Sequence, residues 1–96
     1  MTMTIRQIKD TVNYGKTYNT EWAQMSCVYI AGLYNFVDAW YRFSGHMTPT
    51  YLVGALRASD TDMIYAAYSD DALANLIWRL QMAVTENHPE GVPNAL

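Results

Sequence analysis

One cysteine, three prolines and six basic side chains are all that this 96-residue chain has of those types, and each scarcity excludes something. With Cys27 as the lone thiol, no internal disulfide can form, and a reducing compartment is the expectation. The opening residues MTMTIRQIKD lack the apolar core of a secretory leader, which points to a cytoplasmic location. Arg6, Lys9, Lys16, Arg42, Arg57 and Arg79 never cluster, and the net charge is −3. Phosphate recognition depends on a basic face, so direct nucleic-acid binding is not expected.

Chemistry-bearing motifs are also missing. There is no Cys/His set with zinc spacing and no glycine-rich phosphate loop. Asp60-Thr61-Asp62 begins like a calcium loop but lacks the later glycine and the closing glutamate, so it reads as a helix start. His46 falls in a turn, and His88 stands beside Pro89; both read as solvated loop residues. The expectation is therefore no catalytic residue, no cofactor and no metal site, and no enzyme. A helix-turn-helix reading of residues 48–69 fails too, because its second helix carries Asp60 and Asp62 and no base, a composition that repels DNA.

Long hydrophobic runs are absent as well. The nearest approach is WAQMSCVYIAGLYNFVDAWYRF, Trp22 to Phe43. Its uncharged part spans 16 residues, or about 24 Å of helix against about 30 Å of hydrocarbon. It also carries Gln24, Ser26 and Asn35, so no membrane span is expected.

What the chain does hold is helix punctuation and aromatic side chains. Hydrophobic residues make up 51% and charged ones 16%, enough apolar surface to fold and too little charge for disorder. Residues 1–96 read as a single helical domain, with 91–96 as a loose tail. The first six residues alternate as a strand would, but Thr4 with Gln7 forms a capping box. Ile5, Ile8 and Val12 follow at helical spacing, with Gly15 as the stop. A polar connector KTYNT precedes a long helix capped by Asn19 or Thr20, running to Phe43 and ending at Gly45. On its wheel Trp22, Met25, Tyr29, Leu33, Phe36, Trp40 and Phe43 form the core face, widened by Ile30 and Val37. Asp38 and Arg42 pair on the opposite, wet side, and Cys27 packs as a small hydrophobe at the margin.

Thr48 and Pro49 open a third helix, TYLVGALRA. Ser59 or Asp60 caps a fourth around DMIYAAY, and Ser69 with Asp70 and Asp71 opens a fifth, closed before Pro89. The fold class is all-α: a compact bundle of four to five helices around a long aromatic-rich central helix.

Two features point to recognition. The fifth helix has one apolar face (Leu73, Leu76, Ile77, Leu80, Ala83, Val84), yet Trp78 and Met82 lie off it among Asp71, Asn75, Thr85 and Glu86. Either another segment covers them or they anchor a partner. Asp60, Asp62, Asp70 and Asp71 could converge as a carboxylate patch, with Tyr65 and Tyr68 beside them. The expected partner-binding set is Trp78, Met82, Tyr65, Tyr68, Asp60, Asp62, Asp70 and Asp71.

The reading is a small protein-protein interaction protein. It would act as an inhibitor that occludes a basic or nucleic-acid-binding surface of a larger complex. Anti-CRISPR proteins, which phages and mobile elements use against bacterial defence complexes, share this general character. The alternatives are a homo-oligomeric or adaptor subunit, for which a homodimer is possible, and a small-ligand or catalytic pocket around Trp22, Trp40 and His46.

Overall fold

The computed structural model describes residues 3–91. Six helices follow one another among them, with no strand: α1 Ile5–Tyr18, α2 Thr20–Ala23, α3 Cys27–Ser44, α4 Pro49–Arg57, α5 Asp62–Tyr65 and α6 Asp70–Asn87. The chain is all-α, as its punctuation requires. The sixth helix arises because the long central helix of the sequence reading is broken in two. Residues 92–96, most of the expected loose tail, lie outside the described residues.

Local chemistry sets most of the helix starts. Thr4 accepts from Gln7 N–H while the Gln7 side chain takes the Thr4 N–H, completing the capping box. Ser26, Thr48 and Ser69 each accept from the amide three residues on, which satisfies one orphan donor per helix. Pro49 occupies the first turn of α4. Asp70 and Asp71 stand in the first turn of α6, where the helix end is positive. The start of α5 is different: Thr61 makes no side-chain cap, and Ser59 turns back to the Leu56 carbonyl instead. Without a cap, α5 extends only from Asp62 to Tyr65, shorter than the expected DMIYAAY.

The break at Gln24–Ser26 corrects the central-helix reading. Ser26 takes an extended conformation and caps α3, so Trp22 and Met25 belong to a different axis from residues 27–44. The buried face of α3 is then Ile30, Leu33 and Val37, as expected, with Tyr34, Asp38 and Tyr41 added on the side expected to be wet. Tyr29 and Phe43 are exposed rather than core. Asp38 is buried and pairs with His88, not with Arg42. Cys27 is exposed instead of packed.

The first helix also departs from expectation. Gly15 does not end it; α1 continues to Tyr18, and Asn19 closes it while capping α2. Ile5 is exposed, and the buried positions are Gln7, Thr11 and Gly15. Gly15 is there for contact: a Cβ on it would stand 2.6 Å from the Trp22 ring. Tyr14 stacks on the same ring at 5.9 Å, and Arg79 lies 4.3 Å over the Tyr14 ring. The indole N–H of Trp22 has no acceptor among the described residues, so ring packing alone holds this side chain.

At the centre is α6, which packs on α3 and α4 and touches α1 and α2. Leu73, Leu76, Ile77, Leu80 and Val84 are fully buried against Ile30, Leu33, Val37, Leu52, Leu56 and Trp22. Each such aliphatic side chain contributes about 1.5–3 kcal/mol on leaving water. Gly54 is a contrast to Gly15: it lies within α4 with nothing within 4 Å of an added Cβ. Gly54→Ala is expected to stabilise the protein by about 0.5–1 kcal/mol through helix propensity, measured as a rise in the urea midpoint.

Candidate protein-interaction surface

The outer face of α6 carries Asp71, Asn75, Trp78, Met82 and Glu86, all exposed and spaced three or four residues apart, so they form one stripe. Trp78 and Met82 are each 49% exposed. Half of each side chain rests on the bundle and half meets water. Neither the N-terminal helix nor any other described segment covers them fully.

A cleft flanks the stripe on each side. Towards α4, a cleft of about 280 Å³ is lined by Val53, Gly54, Arg57, Asp70, Asp71 and Ala74, with Thr50 at its edge. Towards α1, a shallower one of about 120 Å³ is lined by Gln7, Asp10, Thr11, Arg79, Ala83 and Glu86, with Met82 among them. The second cleft reaches Met82, whereas the first meets α6 only at Asp70, Asp71 and Ala74, one turn before Trp78; Asp10, Asp71 and Glu86 are the acids nearest the apolar pair along these surfaces. Arg79 is the nearby base, and its guanidinium is turned onto Tyr14.

The four aspartates of the sequence reading are not equivalent. Arg57 draws two of them together: its guanidinium is 2.9 Å from Asp62 and 3.0 Å from Asp70. The same group donates to the backbone carbonyls of Tyr65 at 3.1 Å and Tyr68 at 2.6 Å. Hydrogen bonding to Asp62, foremost, raises the Arg57 pKa further above its ordinary value. Asp62 and Asp70 thus share one positive charge, while Asp60 and Asp71 are exposed and make no ion pair among the described residues. A four-carboxylate patch is not what the fold presents, because Arg57 lies one residue before the acid-only stretch of the sequence.

Tyr65 is corrected as a contact residue: only 4% of it is exposed. Its hydroxyl donates to the Tyr29 carbonyl at 2.8 Å, and its ring meets Tyr29 edge-on. Burial pushes its pKa up. Tyr68 is partly buried against the core. Glu21 accepts from both the backbone and the hydroxyl of Ser69, tying α2 to the start of α6.

At the other end of α6 lies a buried polar layer. Gln7 and Asn87 exchange two side-chain hydrogen bonds, and Asn87 donates to Tyr34 Oη at 2.7 Å. Burial, foremost, raises the Tyr34 pKa. His88 Nε2 is 2.6 Å from Asp38 Oδ1, with side-chain exposures of 9% and 10%, and the Tyr41 ring stacks on the imidazole. So His88 is a buried partner of α3, contrary to its reading as a solvated loop residue. His46 Nε2 lies 2.8 Å from Thr85 Oγ1. Gln81 exchanges two hydrogen bonds with the Met47 backbone. Gln7, Asn87, Asp38 and Gln81 are buried in this layer, which fixes the helix ends, while His46 is exposed at its edge.

The three side chains of the alternative pocket have separate surroundings. Trp22 is buried beneath Gly15 and Tyr14, Trp40 opens on a cleft with Ala39 and Phe43, and His46 faces Thr85. No group of three or more His, Cys, Asp or Glu among the described residues could hold a metal ion. No described helix is long and apolar enough to cross a membrane.

Sequence reasoning missed several exposed apolar side chains: Val28, Phe43, Met63 and Ile64. The signal for the α3 pair was Ser26, a cap residue whose use would have reset the wheel. Comparison of the chain with protein-family models, with curated proteins and with solved structures finds no match.

Proposed function

We propose that this chain is a protein-binding module that docks the outer face of α6 into an apolar socket with a basic rim. The observation that carries this reading is the half-exposed Trp78–Met82 pair, on a helix face shared with Asp71 and Glu86 and beside a cleft that holds Asp10. Tryptophan anchors are enriched at binding hot spots, and methionine adapts its shape to a partner. The carboxylates would steer the approach to a basic rim and add less to the affinity itself.

The mechanism is occlusion: a small rigid body covers a basic surface, such as one that holds nucleic acid in a larger complex. Inhibition of a bacterial defence complex, anti-CRISPR-like in style, is the finer form of this proposal. With Asp62 and Asp70 held by Arg57, the anchor outweighs any imitation of a phosphate track.

Affinity capture from a bacterial lysate tests the reading, with wild type beside Trp78→Ala and Asp71→Asn. Trp78→Ala is expected to weaken retention of a stoichiometric partner by about 30-fold or more, the loss of a hot spot of about 2 kcal/mol. Asp71→Asn should reduce capture by a few-fold only, and chiefly at low salt. Equal capture by wild type and Trp78→Ala, or a lane containing no partner, would sink the proposal for that host.

A further inference from the structure

The cleft between α1 and α6 holds polar groups that the bundle itself does not use. Gln7, Asp10 and Thr11 line it from α1, and Arg79, Met82, Ala83 and Glu86 from α6. Steps of three and four residues put each set on one side of its helix. Thr11 is only 4% exposed, yet its hydroxyl has no hydrogen-bond partner among the described residues. A threonine inside a helix can return its hydroxyl to the carbonyl four residues back, as Thr17 and Thr85 do. Thr11 does not. Unlike the Trp22 N–H, its oxygen is not sealed off, and it opens on the cleft it lines.

The charges in the cleft are unmatched as well. Asp10 and Glu86 are exposed, one on each wall, and neither makes an ion pair among the described residues. Arg79 lies in the same cleft, but its guanidinium is laid over the Tyr14 ring at 4.3 Å. Two acids against one base leave the site one positive charge short. Its volume of about 120 Å³ is that of about four waters at about 30 Å³ each. Small-molecule pockets run to about 300–1,000 Å³, so this one suits the head of a single side chain. A divalent ion fits poorly: it takes about six to eight oxygen ligands, and here two carboxylates stand beside a guanidinium.

We propose that this cleft receives an arginine side chain from the basic rim of the partner, with its guanidinium between Asp10 and Glu86 and Thr11 Oγ1 accepting a further hydrogen bond. The inference rests on the α6 docking reading and names the rim residue that completes it. Met82 belongs both to the cleft and to the exposed apolar pair, so a socket seated on α6 brings its rim over the cleft. Arginine suits the site better than lysine. Its planar fork donates to acceptors on both walls, and it gives up water more readily than an ammonium group.

NMR titration of the free chain with N-acetyl-argininamide, at constant ionic strength, tests the site with no partner present. Saturable shifts are expected at the amides of residues 7–11 and 82–86, with a dissociation constant in the millimolar range. N-acetyl-citrullinamide, similar in shape but uncharged, should bind at least about 10-fold more weakly. The double variant Asp10→Asn/Glu86→Gln should lose saturation. Thr11→Val keeps the shape of the side chain and should weaken binding about 10-fold, the scale of one hydrogen bond to a charged group. Its urea midpoint should not fall, because the fold loses no hydrogen bond.

Equal shifts from the citrulline compound, shifts that persist in the double variant, or no saturation would each overturn the proposal. So would a Thr11→Val protein that is less stable yet binds as wild type does. In lysate capture the double variant should retain the partner about 10-fold less well, and retention equal to wild type would also overturn it. Failure in the titration strikes the cleft alone, whereas failure of the α6 reading shows in capture by Trp78→Ala.

Discussion

His88→Ala is expected to lower the unfolding free energy by about 1.5–3 kcal/mol, the scale for a hydrogen bond to a buried carboxylate. The imidazole Nε2 stands 2.6 Å from Asp38 Oδ1, and each side chain is about one-tenth exposed. Removing the ring leaves the Asp38 carboxylate inside the bundle without the donor that offsets its lost hydration. It also uncovers the Tyr41 face on which the imidazole stacks, and it loosens the residue that closes α6. Asp38→Asn should cost less, since an amide oxygen can still accept from the ring and no charge is stranded. The double variant should cost less than the two single losses added together, because His88→Ala strands no carboxylate once residue 38 is asparagine. Urea titration of the four proteins measures this. A loss below about 1 kcal/mol for His88→Ala would mean that water already serves the carboxylate.

Gly15→Ala should destabilise the protein by about 2–3 kcal/mol, although alanine is the better helix former. The added methyl would sit 2.6 Å and 2.7 Å from two carbons of the Trp22 six-membered ring. A flexible side chain would swing aside, but this ring is completely buried and stacked on Tyr14. Relief must come from moving α2 away from α1, which weakens a core side chain whose N–H is already unpartnered. The opposite signs expected for Gly15→Ala and Gly54→Ala isolate packing from propensity. If both changes stabilised, the close approach of α1 to Trp22 would be refuted.

Chemistry that runs three or four residues along the chain was readable in advance. Thr4 with Gln7, Thr48 with Pro49, and Ser69 with two aspartates announce helix starts. The apolar face of α6 was legible for the same reason: Leu73, Leu76, Ile77, Leu80, Ala83 and Val84 are all buried. The failure at Gln24–Ser26 has a definite cause. Aromatic spacing continues across the break, so a single wheel fits residues on two axes and averages their directions. Ser26 signalled the new start, but serine is common enough within helices for a strong apolar period to mask it.

Partners far apart in sequence stayed out of reach. Nothing near Asp38 announces His88, and nothing near Gln7 announces Asn87. The acid-rich stretch after residue 58 looked unopposed because Arg57, which clasps it, precedes it. Of the candidate site, the off-face position of Trp78 and Met82 was legible from helical phase alone. The burial of Tyr65 was not, because it depends on how α5 folds back on α3.

The three tryptophans lie at three depths and in three separate places. Trp22 is sealed in the core, Trp40 floors the α3 cleft, and Trp78 stands on the outer face of α6. The molecule therefore carries its own optical gauges. Indole emission shifts to the blue as water is removed, so a partner seated on α6 would change the colour of Trp78 and leave the other two alone. Trp22 would keep its blue emission through that event and lose it only when the bundle comes apart.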